Sequence, residues 1–275
     1  MKESILATAG VSFSFTRMFL AFDIGNSSIG CAVFDGDDMR TRWRMDTDAG
    51  LDSDVYSMRL ADVLERAGIG VRALDGAIAS SVVRDMTDVM GGAVRTLAGF
   101  DLIEADPRTG PGIDVAVERP EAVGVDRLLA AGAAFRQVGG SVIVIDAGTA
   151  LTVDLVSAAG CFMGGTISPG LKAMAKALAT GTSLLPEVDL AAPASAVGRD
   201  TTACIRAGVL FGAAGAVDRV VDELIHAADG APRVVLTGGD APVLSPYIKT
   251  SHDSEPDLVL HGLAYAYGKR KPQDR

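Results

Sequence analysis

Apolar positions along the chain fall into short runs of two different periods. Phe19-Leu20-Ala21-Phe22 is an apolar run ending at Asp23; after Ile24-Gly25-Asn26-Ser27-Ser28 a second run extends from Ile29 to Phe34, which predicts a strand–turn–strand hairpin. Residues 54–67 instead place Val55, Met58, Leu60, Val63 and Leu64 at helical spacing, and Ala77 to Val83 reads as a strand. Asp126 to Phe135, rich in alanine and leucine, predicts a helix leading between two halves. The hairpin pattern then returns. Val142-Ile143-Val144-Ile145 ends at Asp146, Ala147-Gly148-Thr149-Ala150 turns, and Leu151 to Val156 alternates as a second strand. Leu171 to Leu178 and Thr202 to Ala228 follow as helices, and Arg233 to Leu236 is a strand running into Thr237-Gly238-Gly239-Asp240.

In both hairpins an apolar strand delivers an aspartate, a glycine two residues later and then hydroxyl side chains. The copies stand about half a chain apart, and a repeat on that scale predicts an α/β chain of two similar lobes, sheets covered by helices, with the ligand cleft between them. The lobes are expected over residues 18–139 and 140–268. Residues 1–17 carry one early lysine and an apolar stretch broken by serines and threonine, a weak signal peptide expected to lie outside both lobes. Residues 269–275 are expected to form a polar tail.

Composition narrows the function. The 275 residues are 48% hydrophobic and 22% charged, ordinary globular usage. With 25 basic against 35 acidic residues the net charge is −10, which argues against a broad nucleic-acid or membrane surface and leaves phosphate chemistry to local sites. No apolar stretch approaches the roughly 18 residues of a membrane helix. Cys31, Cys161 and Cys204 lie far apart with no CxxC spacing; they are expected as buried small side chains of a reduced, cytoplasmic protein. His226, His252 and His261 are equally dispersed, so neither a zinc cluster nor a Cys/His nucleophile pair has support. The 32 glycines, against 5% aromatics, point to tight turns and close backbone approach.

Among nucleotide signatures, GxxxxGK[ST] is absent, and Gly68-Ile69-Gly70-Val71-Arg72-Ala73 follows a helix and precedes a strand, the reverse of the dinucleotide order, so it reads as a turn. The paired Asp-x-Gly turns carry more. Glycine admits backbone N–H groups to phosphate oxygens, hydroxyls add donors, and a carboxylate can hold a cation; two such turns facing each other would grip a triphosphate from both sides. Gly164-Gly165-Thr166-Ile167-Ser168-Pro169-Gly170, expected as a loop ahead of a helix, and Thr237-Gly238-Gly239-Asp240 would add walls for phosphate and nucleoside. In Gly124-Val125-Asp126-Arg127 an acid could orient or deprotonate a hydroxyl while the arginine forks an anionic substrate group; an ordinary helix start is the alternative.

This ordered series resembles the type III pantothenate kinases of the acetate-kinase/sugar-kinase/Hsc70/actin superfamily over nearly all of residues 18–268. The matching pieces are Asp23-Ile24-Gly25-Asn26-Ser27, Trp43-Arg44 with Thr47, Ser80-Ser81-Val82-Val83, Pro120 with Gly124 to Arg127, Asp146 to Ala150, Gly164 to Gly170, Thr182 to Pro186, Gly198 with Thr201, and Thr237 to Asp240. The resemblance implies two RNase H-like (actin-like) lobes, each a mixed sheet with flanking helices. It implies ATP-dependent phosphorylation of pantothenate to 4′-phosphopantothenate, the first step of coenzyme A synthesis, with Mg²⁺ and K⁺ or NH₄⁺, in a cytoplasmic homodimer whose substrate site is completed by the neighbouring subunit. By the same carry-over Asp126 is the general base; Asp23, Gly25, Asn26, Ser27, Ser28 and Gly30 form the first phosphate loop, with Asp23 also a Mg²⁺ ligand; and Gly148, Thr149, Gly238 and Gly239 contact ATP. Asp146 is the monovalent-cation ligand, and Val117, Gly124, Val125, Asp126, Arg127 and Thr182 line the pantothenate site. Several positions depart from the family pattern: Val117 replaces a tyrosine, Arg119 an asparagine, Ser27 a threonine, Arg199-Asp200 a Lys-Asn pair, and Arg84 a proline. They leave a nucleotide-binding regulator, or a kinase for another small hydroxy acid, as alternatives.

Overall fold

Two sheets of like construction follow from the repeated hairpins. The computed structural model describes residues 18–270 except 84, 109 and 194; the expected extension 1–17, the Arg84 departure and tail residues 271–275 lie outside the described residues. In the first sheet β1 (Met18–Ile24), β2 (Ser28–Asp35) and β3 (Asp38–Asp46) form an antiparallel meander. The chain crosses over through α1 (Ser53–Arg66) to β4 (Leu74–Ser81), parallel to β1, and through α2 (Met86–Ala98) to β5 (Leu102–Glu104), parallel to β4. After β6 (Asp114–Val115) and α3 (Val125–Val138), the plan is repeated by β7 (Val142–Ala147), β8 (Ala150–Val156) and β9 (Cys161–Pro169). Here α4 (Leu171–Gly181) and α5 (Thr201–Ala227) make the crossover to β10 (Arg233–Thr237), parallel to β7. Then α6 (Ala241–Leu244) leads to β11 (Asp253–Ser254), and α7 (Leu258–Gly268) follows. The orders are β3-β2-β1-β4-β5 and β11-β10-β7-β8-β9-β6, the same plan with β6 added beside β9. This is the expected duplicated, two-lobed α/β architecture.

Strand alternation sorts the apolar residues into three cores. Leu20, Phe22 and Ile24 of β1 pack outward with Tyr56, Leu60 and Leu64 of α1 and Met90 and Val94 of α2. Ile143 and Ile145 of β7 pack outward with Val209, Leu210, Val217 and Val221 of α5. The inward residues Phe19 and Ala21 of β1 and Val142 and Val144 of β7 share one core with α3 and α7, which therefore lie between the two sheets. Helix starts are fixed locally: Asp52 accepts from the Val55 N–H at 3.0 Å at α1, and Asp200 accepts from the Ala203 N–H at 2.8 Å at α5, so the Asp200 departure keeps a capping oxygen. Among the described residues no helix is long and apolar enough to cross a membrane.

Three expectations are corrected. Gly164 to Pro169 is not a loop but the body of β9, paired to β8 from Ala150↔Pro169 to Leu155↔Gly164. Of the cysteines only Cys31 is buried; Cys161 is partly exposed and Cys204 exposed, because β9 lies near the sheet edge and Cys204 on an outer face of α5. Finally, β3, α2 and α7 arise where no element was expected. The strand β3 is an edge strand of alternating charge, and α7 is apolar all round because it is buried on nearly every side.

The α3/α7 contact sets the spacing of the central layer. A Cβ at Gly262 would lie 2.5 Å from the Leu129 carbonyl oxygen and 2.8 Å from its carbon, and that backbone cannot yield. Gly262→Ala is therefore expected to cost about 1–3 kcal/mol through overpacking. Gly208→Ala in α5, with nothing within 4 Å, should be neutral or stabilising by up to about 1 kcal/mol. Urea denaturation of the two variants checks the contrast.

Candidate active site

The alternation that builds the cores also builds the site. Phe19 and Ala21 face inward, so Asp23 is the last inward position of β1; Val142 and Val144 face inward, so Asp146 is the last inward position of β7. The strands end there in the two Asp-x-Gly turns. In the first, the Gly25 N–H donates to the Ser28 carbonyl at 3.1 Å and the Thr47 hydroxyl to the Gly25 carbonyl at 2.6 Å. In the second, the Gly148 N–H donates to the Ala150 carbonyl at 2.9 Å. The turns meet tip to tip: Ser27 Oγ and Thr149 Oγ1 lie 3.1 Å apart. Asn26, Ser27 and Thr149 are exposed at these tips, while Gly30 is buried and lets β2 close on Asp23, with a Cβ there 3.5 Å from that of Asp23.

Gly238 and Gly239 close the second wall. Gly238 has φ +100°, and any side chain on it would collide with the Ala147 carbonyl and Asp146 Oδ1, so only glycine fits. The Asp240 N–H donates to the Ala147 carbonyl at 2.8 Å, tying this loop to the second turn.

Asp126 sits in the first turn of α3, where its Oδ1 accepts the Arg127 N–H at 2.9 Å. A side chain at Gly124 would strike that same oxygen. Val125 and Val117 pack half-buried against the central core, and Val117 Cγ1 would lie 3.5 Å from a Cβ at Gly164. Arg127 does not extend freely. Its Nε donates to Asp154 Oδ2 at 3.1 Å and its Nη2 to Asp154 Oδ1, while its guanidinium carbon lies 5.6 Å from the Phe162 ring centre. Asp154, only 2% exposed on the inward face of β8, is thus a partner that sequence reasoning missed. Its signal was a charged residue inside the alternating run Leu151 to Val156. Thr182 is not brought to this group: it is exposed at the end of α4, where its hydroxyl bonds to Leu178 and Leu185 of its own segment.

The electrostatics are severe. Burial, then the charges of Asp126 and Asp146, push Asp23 up to about 7; burial, then Asp126 and Asp154, push Asp146 up to about 7. Arg44 opposes both shifts. Burial raises Asp154 despite its bonds to Arg127, and those bonds raise Arg127 although burial alone would lower it. Among the described residues no three His, Cys, Asp or Glu side chains form a complete metal cage. A cation here would share its coordination with phosphate oxygens and water.

The family model described as type III pantothenate kinase matches residues 19–223. The type III pantothenate kinase of Pelobacter propionicus is 35% identical over 254 residues, covering 92% of this chain and 100% of that protein. That of Rubrobacter xylanophilus is 39% identical over 262 residues, covering 91% and 97%. The chain belongs to the type III pantothenate kinase family. Among solved structures, (R)-2-hydroxyglutaryl-CoA dehydratase component A from Acidaminococcus fermentans shares the fold at 16% identity, with a TM-score of 0.53 over 92% of this chain and 96% of that one. The 2-hydroxyisocaproyl-CoA dehydratase activator of Clostridium difficile shares it at 13% identity and a TM-score of 0.52, over 92% and 93%.

The raised carboxyls give a stability signature. Asp23 and Asp146 bind protons more tightly folded than unfolded, so the stability they contribute is full below about pH 4 and is lost as pH rises through about 7. In buffer without nucleotide or added cations, Asp23→Asn should melt above the parent at pH 8, and the advantage should shrink steadily towards pH 5. A difference in melting temperature independent of pH contradicts the shift.

Proposed function

We propose that this family member transfers the γ-phosphoryl group of ATP to the primary hydroxyl of pantothenate, giving 4′-phosphopantothenate, with Asp126 as the general base. The observation that carries the reading is the meeting of the two Asp-x-Gly turns at Ser27 and Thr149, within the electrostatic reach of Asp126. Their backbone N–H groups and hydroxyls form a cradle for phosphates, with Gly238 and Gly239 beside it for the nucleotide. Asp126, fixed by the Arg127 N–H, orients the hydroxyl and takes its proton. Phosphoryl transfer asks mainly for positioning and charge neutralisation, which suits a single carboxylate base. Arg127, held by two nitrogens on Asp154, has donors left on its remaining nitrogen for the pantothenate carboxylate, and the rigid fork lowers the ordering cost of that contact.

The residues fit the cations the family implies. Asp23 and Asp146 are carboxylates short of positive charge, and beside Asp23 in register on β4 the buried Ser80 hydroxyl has no hydrogen-bond partner among the described residues. Asp23 would hold Mg²⁺ and Asp146 the monovalent cation, K⁺ or NH₄⁺. Bound there, these ions supply the positive charge that neutralises the phosphates.

A second copy of the chain completes the substrate wall in this reading. Thr182 bonds within its own segment rather than to the Asp126 group, and Leu178 of α4 and Leu184 beside it are exposed apolar residues. That segment is the surface proposed to face the second copy.

Purified protein should release ADP only with pantothenate, ATP, Mg²⁺ and K⁺ or NH₄⁺ together. Asp126→Asn should lower turnover by about two to four orders of magnitude with its fold intact. Unchanged turnover removes the base assignment. Leu184→Glu should give a monomer by light scattering and raise the KM for pantothenate more than that for ATP; a dimeric variant with parent kinetics removes the interface.

A further inference from the structure

The first sheet carries a row of inward positions across four strands at the mouth of the cleft: Arg44 of β3, Gly30 of β2, Asp23 of β1 and Ser80 of β4, each in register with the next. Gly30 has no side chain, so the row leaves a gap beside Asp23 that the Arg44 side chain can cross. Arg44 is exposed to the cleft. Its Nη1 donates to Ser28 Oγ at 3.0 Å, in the turn of the first lobe, and lies 3.3 Å from where a Cβ of Gly239 would stand, in the loop of the second. The guanidinium therefore spans the space between the two phosphate walls.

Among the described residues no carboxylate comes within 4.0 Å of Arg44, although its charge reaches Asp23 and Asp146. Arg127 is paired with Asp154 through two of its nitrogens, and Lys172 lies 3.8 Å from Asp240. The cleft otherwise presents Asp23, Asp126 and Asp146, a poor place for a triphosphate. An arginine with free donors, aimed between two phosphate-binding turns, can take up phosphate charge directly.

We infer that Arg44 is a catalytic residue that binds the γ-phosphoryl end of ATP, bridging the Ser28 turn and the Gly239 loop across the cleft. This inference rests on the pantothenate kinase reading for its substrate. With the nucleotide seated, the guanidinium keeps Ser28 as a neighbour and donates its remaining N–H groups to the oxygens of the transferring phosphoryl, where charge builds as the bond to ADP breaks.

The test compares Arg44→Gln and Arg44→Lys with the parent. Arg44→Gln should lower kcat by about 10²–10³-fold, the loss of one preorganised donor to a developing charge. It should weaken ATP binding by calorimetry about tenfold or more while leaving the affinity for adenosine and the KM for pantothenate within about twofold. Arg44→Lys, which keeps the charge but not the fork, should fall between. Millimolar guanidinium added to Arg44→Ala should restore part of the turnover, a recovery that a merely structural arginine would not give. Parent-like ATP affinity and kcat in Arg44→Gln, or equal loss of ATP and adenosine binding, overturns the inference. ATP binding needs no pantothenate, so a parent enzyme inert towards pantothenate would remove the substrate reading and still leave the ATP comparison to decide on Arg44.

Discussion

Two aspartates forced into one low-dielectric cleft organise the rest of this structure. Strand alternation leaves β1 and β7 no choice: once Phe19 and Ala21, and Val142 and Val144, are committed to the central core, the next inward position falls on Asp23 in one strand and Asp146 in the other. With Asp126 close by, the carboxyls repel one another away from bulk water, and two of them are driven up to about 7. In the reading proposed above, bound cations supply the opposing charge. The cost of ionising this group grows as pH rises through about 7, a familiar relation between stability and function at active sites.

Glycines and two arginines manage that crowding. Gly30, Gly124 and Gly238 stand where a side chain would meet an aspartate, so the backbone itself lines the acidic group. Of the arginines, Arg127 is immobilised by Asp154, buried on β8, whereas among the described residues Arg44 is held by the Ser28 hydroxyl alone. In the proposed reading the first is a rigid fork for the acceptor's carboxylate and the second a charge that meets phosphate. Removing one member of the buried Arg127–Asp154 pair would strand the other, a penalty of about 3–5 kcal/mol.

Much of this was legible in the chain before any coordinates. The duplicated turn at Asp23 and Asp146 encodes the two-lobed fold, because one Asp-x-Gly turn is an ordinary hairpin but two in matching strand contexts mark a repeated unit, and the contact of Ser27 with Thr149 follows from it. What was hidden is equally physical. β3 is an edge strand whose alternation is carried by arginines as much as by Trp43 and Met45, so no apolar stripe announces it. Gly164 and Gly165 look like loop residues, yet they sit in β9 because a side chain at Gly165 would strike Asp154 and the Val153 carbonyl. α7 has no polar face to give it a period, being buried between the sheets. The Arg127–Asp154 pair joins α3 to β8, and no local pattern could reveal a partnership between separate elements.

Burial and neighbouring carboxylates raise Asp23 and Asp146 to about 7, and in the proposed reading bound cations would lower both again. Carboxyl-carbon NMR on aspartate-labelled protein tests it directly. Two resonances should titrate near pH 7 in the empty protein, one lost in Asp23→Asn and the other in Asp146→Asn, and both should move to lower pH when ATP, Mg²⁺ and K⁺ are added. If every aspartate of the empty protein titrates below about pH 5, the carboxylates are not crowded as described and the account fails.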